Sequence, residues 1–240
     1  MAEGMRKAAL FDFDGTLSSG YISMEFMDYL HGRGVYNDAA YREQRRIYGL
    51  QRSGAMTYDE WVERWGELWA EGLKGKGVAE VADCAKEFFK SFGHNIYRES
   101  RELVSLMAAA GFMSVVVSAG AYEVVSLAAA DLGISQVYAT RLEARDGVYT
   151  GSIETPMHLP DGKERMLSKL AGMFDYGGSY AFGDSVADAS MLAMVGNPIA
   201  LNPGAALREM AERRGWKVLY KNGVVSGIDA ALRGRSRGRS

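Results

Sequence analysis

The run Met113-Ser114-Val115-Val116-Val117 lies between two helical stretches, about Tyr97 to Ala110 and Tyr122 to Leu132, which stop at Gly111 and Gly133. Consecutive β-branched residues leave no polar face for water, so such a strand needs cover on both sides, as in a parallel sheet. Glycine just past a helix takes the left-handed conformation at no steric cost and ends it. The same rhythm recurs along the chain. Ala8-Ala9-Leu10-Phe11, Ser179-Tyr180-Ala181-Phe182 and Ile199-Ala200-Leu201 read as strands, with helices over Lys163 to Ala171 and around Met191. Arg141-Leu142-Glu143-Ala144 and Val148-Tyr149-Thr150-Gly151 flank Arg145-Asp146-Gly147, and Asp-Gly is a strong hairpin signal. Strands alternating with helices predict an α/β fold with a doubly wound, Rossmann-like parallel sheet. Right-handed crossovers would then bring the strand C-terminal ends to one edge, where ligands bind.

No strand signal interrupts the region after Ser18 up to about Phe92. Helical patterns over Tyr21 to Leu30, Asp38 to Leu50, Thr57 to Leu73 and Val78 to Ser91 alternate with breaks at Gly32-Arg33-Gly34 and between Gly72 and Gly77. We expect a small α-helical cap domain over 19–92, inserted into a core made of 1–18 and 93–232. Residues 233–240 carry four arginines among glycine and serine and read as a disordered, solvated tail. The formal net charge is −2, so without those arginines the rest stands at −6 and presents no basic field to nucleic acid. Only the tail leaves a contact with RNA or anionic lipid open. Cys84 is the single cysteine, which excludes an internal disulfide and a thiolate metal cage. The N-terminus lacks an apolar signal core and no later stretch approaches a membrane span, so a cytoplasmic protein is expected.

Chemistry gathers at the strand ends. Asp12 and Asp14 follow the first strand in Asp12-Phe13-Asp14-Gly15-Thr16. Each carboxylate costs several kcal/mol to desolvate unless a metal or hydrogen bonds compensate it. The pair therefore suggests a cation-dependent reaction, with one carboxylate as nucleophile and the other as acid/base. Ser118-Ala119-Gly120 follows the valine run and offers a hydroxyl and backbone N–H groups to a phosphate. Lys163 opens a helix, where a cation opposes the dipole and so needs another reason to be there. Gly183-Asp184, with Asp188, places two more carboxylates after a strand.

In this order and spacing the four motifs resemble the haloacid dehalogenase-like phosphohydrolases, in particular the phosphoserine-phosphatase-like branch with a helical cap after the first motif. The resemblance spans residues 8 to about 220. It implies that Asp12 is the nucleophile and forms an aspartyl-phosphate, and that Asp14 protonates the leaving alcohol and later activates water. It implies that Asp184, the Asp12 carboxylate and the Asp14 backbone carbonyl hold Mg²⁺, with Asp188 orienting that shell or the lysine. Lys163, Ser118 and Ala119 would bind the phosphoryl group. The implied activity is hydrolysis of a small phosphomonoester. A phosphotransferase or mutase on the same scaffold, and a phospho-ligand binding protein, are the alternatives.

Substrate signals lie in the cap. Phosphoserine phosphatases carry a Glu after the first motif and a cap Arg. Here Tyr21 stands at the first position, with Glu25 the nearest downstream acid, and Glu63 stands at the second, with Arg64 one residue off. Both departures count against phosphoserine. Trp61, Trp65, Leu68 and Trp69 share one helical face, either as the cap's own core or as an aromatic wall over the site. The wall would favour an apolar or planar leaving group, and Tyr21, Met24 and Met27 would complete it. His31, His94 and His158 lack metal-ligand spacing; His158 reads as a loop histidine without a role, although it lies close before Lys163.

Overall fold

A computed structural model describes residues 5–237 of the chain. At the centre of one sheet lies β1 (Ala8–Phe11). On one side of it come β2 (Met113–Ala121), β3 (Gln136–Arg145) and β4 (Val148–Thr155), and on the other β5 (Tyr180–Gly183), β6 (Asn197–Leu201) and β7 (Lys217–Leu219). The pairings are parallel except that of β3 with β4. That hairpin turns at Asp146 and Gly147, with φ of 51° and 78°, the left-handed pair that an Asp-Gly turn supplies.

Period-two alternation sorts the strand side chains between two cores. Ala9, Phe11, Val116, Tyr180, Phe182, Ile199 and Leu201 face one layer. Ala8, Leu10, Val115, Val117, Ala181 and Ala200 face the other. Each β1 residue is fully buried, which is why that strand reads as unbroken apolar sequence.

Four helices follow β1: α1 (Ile22–Gly32), α2 (Asp38–Arg52), α3 (Tyr58–Leu73) and α4 (Val78–Phe92). Their apolar faces join α5 (Arg98–Ala109), α6 (Tyr122–Asp131) and α10 (Lys221–Arg237) in the first core. The inserted helices thus share one continuous cluster with the sheet. On the opposite face lie α7 (Gly162–Lys169), α8 (Ala189–Met194) and α9 (Ala205–Arg214). Two starts in the insertion are fixed locally. Asn37 Oδ1 accepts the N–H groups of Ala39 and Ala40, and Thr57 and Glu60 form a reciprocal capping box.

Two differences from the sequence reading have physical causes. β2 continues through Ser118-Ala119-Gly120 because, past an irregularity, Ala121 still pairs with Thr140 of β3. The stretch read as a tail from 233 is helical as far as Arg237, and Arg233 pairs with Asp229 one turn back at 2.9 Å. Residues 238–240 lie outside the described residues.

Candidate active site

Because β1 pairs with both β2 and β5, the residues leaving these three strands meet at the point where the sheet order reverses. Asp12 follows β1, and its N–H donates to the Phe182 carbonyl at 3.0 Å, which holds it beside β5. Lys163 reaches in from the start of α7. Its Nζ donates to Asp12 Oδ1 at 2.6 Å and to Asp188 Oδ1 at 2.5 Å. All three side chains are buried. Asp188 Oδ2 accepts the backbone N–H groups of Asp184 and Ser185 at 3.1 and 3.0 Å. Thr16 Oγ1 lies between Asp12 Oδ2 and Asp184 Oδ1, at 3.3 and 3.4 Å. Gly15, with φ of 82°, lets the chain turn against the Asp184 carboxylate, where a β-carbon would collide.

Oxygens of Asp12, Asp184 and Asp188 all lie within 4.8 Å of one another. Burial pushes Asp184 up to about 8, with Asp12 and Asp188 adding to it. Burial also raises Asp12 to about 6, helped by Asp188 and opposed by Lys163. Asp14, raised to about 8 mainly by burial, accepts the Ile22 N–H at the entrance to α1 at 2.9 Å. Burial works against the Lys163 charge, yet Asp12 and Asp188 outweigh it and hold the ammonium above its ordinary range. One lysine leaves this group of carboxylates short of positive charge. An all-oxygen donor set with that deficit fits a hard divalent cation such as Mg²⁺.

The pocket above the carboxylates is lined by residues from both the core and the inserted helices. Ser118, Ala119 and Gly120 form one wall. Ser118 Oγ accepts the Gly120 N–H at 3.0 Å, so its own proton points elsewhere. Ser23 of α1 accepts the Ala121 N–H at 2.8 Å and ties the insertion to this wall. Tyr21, Met24, Trp61 and Trp65 also line the pocket, as does Tyr58, whereas Leu68 and Trp69 pack in the core. The tryptophan face therefore serves as both wall and core, divided along its length.

Two candidates lie elsewhere. Glu25 is exposed, and its carboxylate is turned against Gly20 and accepts from Asn95 Nδ2 at 3.3 Å. Arg64 lies on the solvent side of α3 and pairs with Glu67 at 2.5 Å. His31 pairs with exposed Asp38, away from the pocket. His158 lies in a turn, as read, and it does approach the site: it is 4% exposed, lines the pocket and meets Trp65 edge-on at 6.0 Å. Burial lowers its imidazole to about 4, so it is neutral. Thr140 donates its hydroxyl proton to the Ala119 carbonyl at 2.8 Å, so the 3.4 Å contact with His158 needs Nδ1–H as donor and leaves Nε2 an acceptor. Thr16, Ser23, Tyr58 and His158 are the residues that sequence reasoning missed or set aside. The only signal was position: Thr16 in the first motif, the others near pocket residues already named.

Residues 9–193 match a family model described as haloacid dehalogenase-like hydrolase. The phosphoserine phosphatase SerB1 of Mycobacterium tuberculosis is 30% identical over 241 residues, which cover 94% of this chain and 75% of the relative. The histidinol-phosphatase of Neisseria meningitidis serogroup C is 27% identical over 223 residues, 90% of this chain and 99% of the relative. A crystal structure of a protein of unknown function from Bordetella pertussis Tohama I aligns with a TM-score of 0.77 at 32% identity, over 90% of this chain and 98% of that one.

Proposed function

The chain belongs to the haloacid dehalogenase-like hydrolase family, and on that premise we propose that it is a Mg²⁺-dependent phosphomonoesterase that works through an aspartyl-phosphate on Asp12. The observation that carries this reading is the Lys163 ammonium held between Asp12 and Asp188, beside Asp184, at the sheet's switch point. Relatives named for phosphoserine and histidinol phosphate make a small phosphorylated metabolite the substrate class.

Asp12 and Asp184, whose carboxylates are the less committed to protein donors, would hold the ion together with the Asp14 backbone carbonyl. When bound, Mg²⁺ supplies charge that lets an anionic nucleophile meet an anionic phosphate. Asp188, with both oxygens taken, orients Lys163 and the Asp184 backbone. An Asp12 oxygen attacks phosphorus as the bond to the leaving oxygen breaks, and Asp14 gives that oxygen its proton. Asp14 then takes a proton from water, the water oxygen bonds to phosphorus, and the bond to Asp12 breaks. Lys163 and the Ser118 hydroxyl receive the phosphoryl oxygens as charge shifts toward them. Asp14 is held by the first N–H of α1, so the acid/base is registered to the inserted helices.

Phosphoserine is a poor candidate, since Glu25 and Arg64 do not line the pocket. The inserted helices act as the cap, closing over the reacting groups to exclude water. No helix among the described residues is long and apolar enough to cross a membrane. The test is steady-state phosphate release from phosphoserine, histidinol phosphate, sugar phosphates, nucleotides and an aryl phosphate, with and without Mg²⁺. Release that needs Mg²⁺ and falls at least about 10³-fold in Asp12→Asn supports the mechanism. Turnover that survives Asp12→Asn overturns it.

A further inference from the structure

We propose that the mouth of this pocket is a subsite for an organic ammonium group, so that the substrate is the phosphate ester of a short cationic alcohol. This rests on the phosphatase reading and adds what the leaving group must carry. Tyr21, Tyr58 and Trp61 line the pocket together. Tyr21 and Tyr58 remain 45% and 38% exposed, while Trp61, between them, is 5% exposed. Two large rings left open to solvent at one pocket mouth form a ready contact surface.

Ring geometry and charge then narrow the occupant. Tyr21 meets Trp61 at an interplanar angle of 69° and 6.0 Å, and Tyr58 meets it at 58° and 5.6 Å. Steeply inclined rings make a corner and not the parallel slot that a flat ring would fill. A compact, roughly spherical group fits a corner, and ring faces attract it when it is cationic. Among the described residues lining the pocket, Lys163 is the one cation, and it is bonded to Asp12 and Asp188. Four aspartates line the same floor. A divalent ion and a phosphate dianion cancel one another, so the floor keeps its excess of carboxylates over Lys163. That residual negative field attracts a cationic leaving group and repels a carboxylate. Among the residues lining the pocket there is no guanidinium for the carboxylate of a zwitterion such as phosphoserine: Arg64 is turned to solvent with Glu67, and Arg52, whose charge reaches Tyr21, is not one of the lining residues.

The experiment compares kcat/KM for choline phosphate with that for its uncharged carbon isostere, 3,3-dimethylbutyl phosphate, at fixed Mg²⁺ and ionic strength. Shape is matched, so the ratio reports the charge, and its change on replacing Tyr21 separates the subsite from the ammonium's inductive effect on the leaving oxygen. We expect choline phosphate to be favoured by about tenfold, the size of a partly desolvated cation–π contact. The ratio should fall to within about twofold in Tyr21→Leu and survive in Tyr58→Phe, which keeps the ring. Tyr21 is exposed, so its replacement tests the subsite without disturbing the core. Tetramethylammonium chloride should inhibit aryl phosphate hydrolysis competitively in the wild type, beyond an equal concentration of NaCl. Equal rates on the two isosteres, or faster turnover of phosphoserine than of choline phosphate, would overturn the subsite while the phosphatase reading stands. No Mg²⁺-dependent release from either isostere or from the aryl phosphate would overturn both.

Discussion

Asp188 shows how one buried side chain can organise a site. It is fully buried, holds Lys163 with one oxygen and caps a short 3-10 turn, Val186–Asp188, with the other by accepting the Ser185 N–H. Its spacing from Asp184 made it visible in sequence, but spacing alone does not separate a turn cap from a lysine anchor; it is both. In Asp188→Asn the amide NH₂ must face either Lys163 or two backbone N–H groups, donor against donor. We expect kcat to fall about 10–100-fold with little change in KM, because the residue positions groups and does not touch substrate; steady-state kinetics separates the two. His158 gives a second test, on stability. Its folded value is lowered to about 4 from an ordinary 6.5, so between these pH values the unfolded chain binds a proton that the folded chain does not. The stabilisation due to its neutral form is present above about 6.5 and is lost as pH falls toward 4. Buried carboxylates with raised values act in the opposite sense, so the comparison must be with His158→Gln. The melting-temperature difference, wild type minus variant, should shrink between pH 7 and pH 5.

The aromatic face of α3 is aimed by contacts that lie far apart in sequence. Gln44 Nε2 donates to the Trp65 carbonyl at 2.9 Å, and the Tyr36 hydroxyl donates to the Leu68 carbonyl at 2.6 Å. Gly66 lies against the His158 imidazole, where a β-carbon would overlap the ring. Gly66→Ala should therefore lift α3 from the core and open the pocket, raising KM several-fold, while Asp12, Asp184 and Lys163 stay in place; kinetics and Mg²⁺ titration check the two halves. The helix itself was legible from its spacing, and so was the division of strands from helices, since both follow from periodicity. The contacts that orient α3 were not, because Gln44, Tyr36 and His158 gain their roles only when distant segments meet. Two strand segments escaped for a related reason. Lys217-Val218-Leu219 is too brief to show a period, and Gln136–Thr140 becomes β3 because β2 lies beside it.

At the scale of the whole molecule, the sheet gathers carboxylates that the sequence keeps up to 176 residues apart, at Asp12 and Asp188. Their convergence was legible because each follows a strand, and parallel strands deliver their C-terminal ends to one edge. Folding without a cation therefore sets negative groups against one another in a buried place, which burial and mutual repulsion register by raising Asp12 and Asp184. Two consequences follow for stability, with opposite signs. On the proposed function Mg²⁺ would bind the folded chain and not the unfolded one, so at about 100 times its dissociation constant it should add about 2.7 kcal/mol. For a chain of this size that is roughly 5–10 °C in melting temperature. Asp184→Asn removes a ligand and should abolish most of that gain, whereas equal ionic strength from NaCl should give none. In EDTA at pH 7 the order reverses: Asp184→Asn should melt above the wild type, because a carboxyl raised to about 8 must take up a proton on folding that an amide does not need. A variant that is stabler without Mg²⁺ and inert to it would locate the cation on these carboxylates by melting alone, with no turnover measured. A wild type that melts higher than Asp184→Asn in EDTA would mean that Lys163 already balances the site.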